Sequence, residues 1–387
     1  MHIGLVLAKT PTYSETFFIS KIKGLQANGF KVTMFVQDRE PGFNLCPVKV
    51  AVKVYKRNII KQIFVIIFEL LKAIPHLNRF LNFFRLEKGA GRSFKRCLKN
   101  AYFNAHILSA QVDWLHFGFA TLAIGSEHVA RAMGTKMAVS FRGFDLDVFP
   151  LKHPGCYDLL WHRVDQVHSI SAYLLQTAYT QGLPKTVPYQ IITPALTFPI
   201  LEDRPFEKPK AWHIVTVARL HWIKGLQTTL EAMAILKAME INFRYDIVGD
   251  GHDYEALKFA IHQLGLSEQV RLMGKRSHFD TLNLLNQADI YVQFSFSEGF
   301  CNAVLEAQAL GMLCVVSNAG GLSENIIDGK TGWIVKNRSS KELARTLEYV
   351  MQLPGEQKIR VKNQAKERVI KEFNIGKQKT KFMNFYS

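Results

Sequence analysis

The chain of 387 residues is long for a single hydrophobic core, so its length predicts two domains. An apolar content of 48% and a charged content of 21% are typical of a folded globular protein and exclude a disordered one. The net charge of +17 is uneven: residues 1–200 contain 24 Lys and Arg against 11 Asp and Glu, and the remainder 25 against 21. Most of the positive excess therefore lies in the first half.

The cysteines and the apolar runs indicate the cellular compartment of the protein. Five cysteines form no CxxC pair and no metal-ligand cluster with histidine, which indicates free thiols in a reducing compartment. The N-terminus, MHIGLVLAKTP, is too short and too weakly basic for a signal peptide and predicts a buried first strand. No run of about 18 apolar residues appears. These features together predict a cytoplasmic protein.

One segment, Lys53–Lys99, concentrates the positive charge. It contains twelve basic residues and only two acids, Glu69 and Glu87, interleaved with aromatic and aliphatic residues. This pattern favours contact with an anionic membrane, on the inner face of the cell membrane, while helices with a solvated basic face are an equally good interpretation. No nucleic-acid-binding motif accompanies the charge, so we expect no nucleic-acid partner.

In the first half, short β-branched runs alternate with helical patterns, as in a parallel sheet covered by helices. A helix is predicted over Phe17–Asn28. The predicted strands are Ile3–Ala8, Lys31–Val36, Trp114–Phe117, Lys136–Phe141, Gln166–Ile170 and Tyr189–Thr193. Prolines 199, 205 and 209 then predict a linker at about 199–211.

The second half repeats the rhythm. Helices are predicted at Leu226–Met239, Asp253–Leu264 and Asp280–Gln287, and strands at His213–Ala218, Phe243–Val248, Val270–Met273, Ile290–Phe294, LCVVSN and GWIV. The sequence therefore predicts an α/β protein of two doubly wound, Rossmann-like domains, residues 1–200 and 201–372. Residues 373–387 are predicted to form a helix that returns to the first domain. Ligands of such domains bind at the carboxyl ends of the strands, here expected in an interdomain cleft.

Two glutamates follow the predicted strand Ile290–Phe294 in FSEGFCNAVLEAQALGM. Glu298 and Glu306 are eight residues apart, or roughly 12 Å along a helix, which is too far for a glycosidase pair at about 5 to 9.5 Å. The chain is predicted to bend at Gly299 and to begin a helix near Asn302. Unpaired amides at a helix start bind phosphate readily; those predicted here belong to Gly299, Phe300, Cys301 and Asn302.

A cationic counterpart lies in VARLHWIKGL, the loop after the predicted strand His213–Ala218. Arg219 and Lys224 could converge on a diphosphate, the arginine through its planar fork and the lysine as a point charge. Either residue alone would be interpreted as a surface charge. The two together, with the acidic helix motif in the same domain, indicate a binding site.

These motifs resemble family 4 glycosyltransferases of GT-B fold. SFSEGFCNAVLEAQALGMLCVVSNAGGLSENIIDGKTGWIV resembles their Glu-x7-Glu region, and VARLHWIKGLQTTLEAM resembles their Arg/Lys phosphate loop. DIVGDGHDYEALKFAIHQLGLSEQVRLMGKRS resembles the segment that lines their nucleotide base pocket. The resemblance covers roughly 211–372, with the motifs in the correct order.

The resemblance implies a nucleotide-sugar donor (UDP-, GDP- or ADP-sugar) and transfer of a hexose with retention of anomeric configuration. It implies no metal or other cofactor, because Arg219, Lys224 and the helix start would neutralise the diphosphate. Carried over by position, catalytic Glu298 contacts the donor sugar and Glu306 accepts from the ribose. Further donor contacts come from Gly299, Phe300, Cys301 and Asn302 to sugar and phosphate, and from Lys275 and Arg276 around the base.

The first half resembles the family less tightly, through TPTYSETFFISKIKGLQANGFKV, DWLHFGFATLAIG and AVSFRGFDLDVF. This combination resembles exopolysaccharide transferases of the colanic acid type. Arg142 stands where many members carry a histidine and cannot act as a base at pH 7. His116 matches another family histidine and is predicted to accept a proton or orient the acceptor, although a structural histidine is as good an interpretation. Ser14, Glu15 and Thr16 are predicted to face the acceptor, to cap the following helix, or both.

The resulting hypothesis is a retaining glycosyltransferase that acts on a glycan or lipid-linked acceptor in exopolysaccharide or surface polysaccharide biosynthesis. Two alternatives remain open from the sequence. One is a sugar-nucleotide epimerase of the same fold, and the other is a catalytically silent, membrane-associated binding protein. Release of nucleoside diphosphate only in the presence of acceptor would distinguish the transferase from the epimerase.

Overall fold

The structure is a computed structural model that describes residues 1–11, 16–55, 57–196, 209–336 and 338–387, and of Thr16 the backbone alone. The chain divides into two compact units. The N-terminal unit comprises Met1–Ile192 and Gln378–Ser387, and the C-terminal unit comprises Thr193–Lys377. Most of the predicted linker, residues 199–208, lies outside the described residues.

A seven-stranded parallel sheet forms the core of the N-terminal unit. Its strands are β1 (His2–Lys9), β2 (Lys31–Asp38), β3 (Val48–Val50), β4 (Trp114–Phe117), β5 (Lys136–Phe141), β6 (Gln166–Ser169) and β7 (Tyr189–Ile191). Their order across the sheet is β3-β2-β1-β4-β5-β6-β7. The middles of β1, β2 and β5 are buried on both faces, which is why these strands appear in the sequence as continuous apolar runs.

Helices surround this sheet. They are α1 (Thr16–Ala27), α2 (Ile59–Ala73), α3 (Leu77–Gly89), α4 (Phe94–Phe103), α5 (Ala105–Leu108), α6 (Val129–Met133), α7 (Phe149–Lys152), α8 (Asp158–Trp161) and α9 (Ala172–Thr180). Short 3-10 turns occur at Ile74–His76 and Ala120–Ala123, and a π-helical turn at Phe144–Val148. Phe382, Phe385 and Tyr386 of the C-terminal helix are buried in the apolar core of this unit.

A six-stranded parallel sheet forms the core of the C-terminal unit. Its strands are β8 (Trp212–Val217), β9 (Phe243–Val248), β10 (Val270–Gly274), β11 (Ile290–Gln293), β12 (Leu313–Ser317) and β13 (Trp333–Val335). The order across the sheet is β10-β9-β8-β11-β12-β13. The helices from here to the chain end are α10 (Leu226–Ala238), α11 (Tyr254–Gln263), α12 (His278–Asn286), α13 (Asn302–Ala309), α14 (Ser340–Gln352), α15 (Gly355–Glu372) and α16 (Ile375–Tyr386), with 3-10 turns at Trp222–Lys224 and Gly320–Glu324.

Both sheets have the doubly wound order, so the predicted fold class is confirmed. The strand order reverses between β1 and β4 in the first sheet and between β8 and β11 in the second. Ligands of such sheets bind beyond the carboxyl ends of the strands at this reversal. In the C-terminal unit, this rule selects the loops that follow β8 and β11.

The strands differ from the predicted ones only in small, local ways, whereas helices α14 and α15 were not among the predicted elements. Strand β3 was not predicted because it has only three residues, lies at the sheet edge and is partly exposed, so it shows little apolar pattern. Strand β7 ends at Ile191, two residues before the predicted end. Within the described residues, every helix is too short or too polar to cross a lipid bilayer.

Candidate active site

Backbone hydrogen bonds fix the loop after β8. The Leu220 amide donates to the Asp250 carbonyl at 3.0 Å, and the Phe296 amide donates to the Ile223 carbonyl at 2.7 Å. These bonds join the loop to the loops after β9 and β11. Gly225 has a φ of +62°, and a Cβ at this position would collide with the Phe294 carbonyl oxygen. Only glycine therefore permits this close approach of the two loops.

Lys224 and Glu298 form an ion pair at this position. Lys224 Nζ lies 2.5 Å from Glu298 Oε2, and the two side chains keep 15% and 14% of their surface exposed. The pair joins the loop after β8 to the loop after β11, on either side of the reversal in strand order. Because the pair is partly open to water, a ligand phosphate could compete with Glu298 for the lysine.

A chain of hydroxyl and amide groups supports the Glu298 carboxylate. The Tyr291 hydroxyl donates to Gln293 Oε1 at 2.8 Å, and Gln293 Nε2 donates to Ser295 Oγ at 2.9 Å. Ser295 Oγ then donates to Glu298 Oε2 at 3.1 Å. Burial raises the pKa of Tyr291 well above its usual value, so its hydroxyl remains a donor. The chain thus fixes the orientation of Glu298 from the protein interior.

Arg219 lies in the same loop and is exposed. Within the described residues its guanidinium has no hydrogen-bond partner, so all of its N–H groups are available to a ligand. An arginine of this kind matches the geometry of a diphosphate. The structure thus places Arg219 and Lys224 as the sequence predicts, in one loop after β8.

Helix α13 begins at Asn302, as predicted, but one of the four expected free amides is not free. The Cys301 amide donates to Asn325 Oδ1 at 3.0 Å, and Asn325 Nδ2 donates back to the Cys301 carbonyl at 3.0 Å. The prediction of an available Cys301 amide is therefore wrong, because a side chain 24 residues away takes it. Among the described residues no acceptor takes the amides of Gly299, Phe300 or Asn302.

Glu306 lies in helix α13 and has a partner that the sequence did not reveal. His278 Nε2 lies 2.9 Å from Glu306 Oε1, and the histidine side chain is half exposed. The hydrogen bond to Glu306 raises the pKa of His278. No sequence pattern marks this pair, because its members are 28 residues apart on different helices. A ligand hydroxyl that binds Glu306 would meet this histidine.

Lys275 and Arg276 follow β10 at the carboxyl edge of the same sheet, and both are exposed. Arg276 Nε donates to the Met273 carbonyl at 3.1 Å, which holds the turn between β10 and α12. These residues therefore lie at the edge of the sheet where the sequence places a base pocket. Their contact with a base remains a prediction.

His116 is placed differently from its predicted role. Its side chain is completely buried in the N-terminal unit and lies in a buried network with Lys21, Ser140, His168 and Tyr386. His168 Nε2 donates to the Ile192 carbonyl at 3.0 Å, so Ser140 Oγ donates to His168 Nδ1 at 2.8 Å. His116 Nε2 then donates to Ser140 at 2.7 Å, and the Tyr386 hydroxyl donates to His116 Nδ1 at 2.6 Å.

This direction of hydrogen bonds fixes His116 as a neutral imidazole whose acceptor nitrogen is already occupied. Burial, together with the charge of Lys21, lowers the pKa of His116 well below its usual value. The structure therefore does not support His116 as a proton acceptor in catalysis. Its position favours the structural interpretation, as part of the attachment of the C-terminal helix to this unit.

The other acceptor-side residues fall partly outside the described chain. Ser14 and Glu15 lie outside it, and only the backbone of Thr16 is described, where α1 begins. The Arg142 guanidinium lies 4.0 Å from the centre of the Phe17 ring and 4.5 Å from that of Phe18. Its amide donates to the buried Asp145 carboxylate at 2.9 Å. Within the described residues, no group of three His, Cys, Asp or Glu could hold a metal ion.

Comparison with known proteins shows what this chain is similar to. Residues 199–368 match the family model described as glycosyl transferases group 1. The chain is 28% identical over 275 residues to WcaL of Escherichia coli, a protein provisionally named a colanic acid biosynthesis glycosyltransferase, covering 68% of this chain and 67% of WcaL.

Two solved structures share the fold along almost the whole chain. A glycosyltransferase from Rickettsia africae is 19% identical, with a TM-score of 0.70 over 100% of this chain and 97% of that one. HepE from Anabaena, solved in complex with UDP, is 16% identical, with a TM-score of 0.72 over 99% and 98% of the two chains. Residues 199–368 of this chain therefore match the group 1 glycosyltransferases, the chain has the GT-B fold, and it is similar to proteins named for exopolysaccharide biosynthesis.

Proposed function

We propose that this protein is a retaining hexosyltransferase that transfers a sugar from a nucleotide-sugar donor to a glycan or lipid-linked saccharide. The product would contribute to an exopolysaccharide or another surface polysaccharide. The observation that carries the proposal is the ion pair between Lys224 and Glu298 at 2.5 Å, where the strand order of the C-terminal sheet reverses. UDP bound to HepE, a protein of the same fold, supports a nucleotide-sugar donor.

Positive charge at the site suits the departure of a diphosphate. Arg219 has free N–H groups, and Lys224 can exchange Glu298 for a phosphate oxygen without moving far. The amides of Gly299 and Phe300 precede helix α13, whose N-terminus carries about half a positive charge. Groups that are fixed before the reaction stabilise developing negative charge most effectively. The proposal therefore requires no metal ion to neutralise the leaving group.

The two glutamates then contact different parts of one donor. Glu298, oriented by Ser295 and Lys224, would contact the sugar, and Glu306 would accept a hydrogen bond from the ribose. Lys275 and Arg276 would frame the base. During transfer the bond between the anomeric carbon and the diphosphate breaks and a bond to the acceptor oxygen forms. Because His116 is enclosed, the acceptor proton would pass to the departing phosphate oxygen.

A panel of UDP-, GDP- and ADP-sugars in a thermal-shift assay tests the donor class first. A bound donor raises the melting temperature with the logarithm of its concentration relative to the dissociation constant. The selected donor is then incubated with saccharide acceptors, and nucleoside diphosphate is measured with and without acceptor. We expect release that depends on acceptor and a product with the donor's anomeric configuration by NMR. Conversion of the donor to an epimer without acceptor would contradict the proposal.

A further inference from the structure

An apolar surface on the N-terminal unit is unusual for a helix that packs on a protein. Helix α2 has nine large apolar side chains with exposed fractions between 39% and 73%. They are Ile59, Ile60, Ile63, Phe64, Ile66, Ile67, Phe68, Leu70 and Leu71. A contiguous group of exposed apolar side chains marks a surface that contacts protein or lipid, whereas single exposed apolar residues elsewhere need no such explanation.

Among the described residues, the contacts of the helix with the rest of its unit include Gln62 and Ala73, which lie on one side of the helix. Gln62 Oε1 accepts from the Tyr55 amide at 2.7 Å, and Gln62 Nε2 lies 3.0 Å from the Tyr102 hydroxyl. Ala73, at the C-terminal end, is the one buried residue of the helix. The unit's own fold therefore leaves most of the apolar surface of α2 uncovered.

The exposed apolar surface continues beyond α2. Ile74, Leu77, Leu81, Phe94, Leu98 and Phe103 have exposed fractions of 40% or more. A groove of about 950 Å³ separates α2 from α3 and α4, and its walls include Ile66, Leu70, Phe80 and Leu98. The groove and the exposed side chains of residues 59–103 form one surface, which we name the apolar face.

Basic side chains surround the apolar face, and the acids of this segment are neutralised. The exposed basic residues are Lys53, Arg57, Lys61, Lys72, Arg85, Lys88, Lys95, Arg96 and Lys99. Glu87 is buried against Arg92 at 2.5 Å, and Glu69 pairs with Lys72 at 2.9 Å. In the described part of 53–99, no acidic side chain is left exposed, so the rim carries a strong positive charge.

From this arrangement we infer that the apolar face is a docking surface for an anionic phospholipid bilayer. Helix α2 lies in the interface with its apolar side chains among the acyl chains, and the basic rim contacts the lipid phosphates. Its 15 residues are too few to span a bilayer, for which about 20 are needed. A helix with one apolar face, polar residues on the other and basic flanks is suited to lie along the membrane interface. Docking of this kind does not depend on the glycosyltransferase activity proposed above.

The inference is tested by vesicle flotation of the full chain, without donor or acceptor. Vesicles of phosphatidylcholine with about 30% phosphatidylglycerol are compared with vesicles of pure phosphatidylcholine. The phosphatidylglycerol gives the first kind of vesicle a negative surface. We expect binding to the anionic vesicles that weakens with salt, and that falls by about fivefold for each basic rim residue changed to alanine. Equal binding to both compositions would remove the electrostatic part of the inference.

The apolar part is tested by the triple variant Phe64→Ser, Ile67→Ser and Phe68→Ser. A matched control changes three comparably exposed apolar residues elsewhere: Leu151→Ser, Phe259→Ser and Ile370→Ser. We expect the first variant to lose at least about tenfold in vesicle affinity and the control to bind as the wild type does. Circular dichroism melts check that both variants are folded. An equal loss in both variants, or none in either, overturns the inference.

Two further readouts distinguish insertion into lipid from association between copies of the chain. Lipids with brominated acyl chains should quench the fluorescence of the tryptophan introduced by Phe64→Trp. They should not quench the fluorescence of the tryptophan introduced by Phe259→Trp. Light scattering without lipid gives the oligomeric state. The inference is wrong if the wild type is a dimer, the triple serine variant is a monomer, and neither protein floats with vesicles. The apolar face would then be an interface between two copies of the chain.

Discussion

Polar side chains near the carboxyl ends of the strands are buried in the N-terminal unit and exposed or partly exposed in the C-terminal unit. In the N-terminal unit, His116, Ser140 and His168 are fully buried and bond to one another. In the C-terminal unit, Lys224 and Glu298 bond to each other but remain partly exposed, and Arg219 is open to solvent. The same sheet order therefore yields a structural network in one unit and a candidate active site in the other.

The contrast shows that position at a strand end does not by itself mark a functional residue. Buried polar groups must be satisfied within the protein, and once satisfied they have no capacity left for a ligand. Exposed charges that are held by rigid loops keep that capacity. The following predictions test whether chemistry is confined to the second kind of residue.

The largest effect is expected from Glu298→Gln. The substitution keeps the size of the side chain but removes the charge that pairs with Lys224, and fixed electrostatic groups of this kind contribute about 100- to 1,000-fold to a rate. We expect the turnover number for nucleoside diphosphate release to fall by that factor. The dissociation constant of the nucleoside diphosphate, measured by calorimetry, should change by less than about threefold, since Lys224 becomes more available to phosphate.

The same substitution at an exposed glutamate of this unit, Glu268→Gln, is the control and should leave both quantities unchanged. A normal turnover number in Glu298→Gln would remove this residue from the active site. Weakened nucleotide binding with normal turnover would instead assign Glu298 to binding alone.

The next effect is expected from the two cations. Arg219→Ala and Lys224→Ala each remove a charged hydrogen-bond donor, which is worth about 1.5–3 kcal/mol, so the nucleoside diphosphate should bind roughly 10- to 100-fold more weakly. Calorimetry with the diphosphate and with the nucleoside alone separates the phosphate contribution. The nucleoside should bind equally to wild type and variants. Lys258→Ala, an exposed lysine on α11, provides the control, and unimpaired diphosphate binding in either loop variant would contradict the site.

The sequence predicted the strands and the loop residues well because the information is local. A continuous apolar run specifies a buried strand, and the residues after it must lie at the carboxyl edge of the sheet. Arg219, Lys224 and Glu298 could therefore be placed without coordinates. Strand β3 could not, because three partly exposed residues at an edge leave no pattern.

What the sequence could not show depends on distant partners. The Tyr386 hydroxyl that occupies His116 Nδ1 is 270 residues away, and Lys21 is 95 residues away. The same holds for Asn325, which takes the Cys301 amide. A histidine after a strand and an amide at a helix start look alike in the sequence whether or not the fold has already satisfied them.

The buried network predicts that acid destabilises the N-terminal unit. Burial lowers the pKa of His116 and His168 well below 6.5, the value expected in the unfolded chain. Below pH 6.5 the unfolded chain therefore binds protons that the native unit does not. The free energy of unfolding consequently decreases as the pH is lowered. Each such histidine contributes about 1.4 kcal/mol per pH unit. Urea unfolding followed between pH 7.5 and 5 measures this slope.

His116→Gln provides the test of the cause. We expect it to reduce the acid slope by the contribution of one histidine and to lower the free energy of unfolding at pH 7.5 by about 1–3 kcal/mol, because Tyr386 and Ser140 lose a matched partner. The turnover number per folded molecule should remain that of the wild type. Loss of turnover by more than about tenfold with unchanged stability would instead restore His116 as a catalytic group.

The smallest effect is expected at His278, whose pKa is shifted in the opposite direction. The hydrogen bond to Glu306 raises the pKa of His278 above the unfolded value of 6.5, so the stabilisation is fully present below 6.5 and is lost as pH rises through the raised value. Because the histidine is half exposed, the pair is worth only a few tenths of a kcal/mol. His278→Gln should therefore lower the free energy of unfolding slightly at pH 5.5 and not at pH 9.

The same pair also predicts a pH dependence of nucleotide binding. Protonated His278 competes with a ribose hydroxyl for Glu306. We therefore compare the dissociation constant of the nucleoside diphosphate for wild type with that for His278→Gln. The ratio of wild type to variant should be about two- to threefold lower at pH 8.5 than at pH 6. Comparing the two proteins cancels the ionisation of the nucleotide itself. His262→Gln, an exposed histidine on α11, should follow the wild type. If the ratio of these dissociation constants stays constant with pH, Glu306 does not bind the ribose in competition with His278. The active site would then include Lys224 and Glu298 but not Glu306.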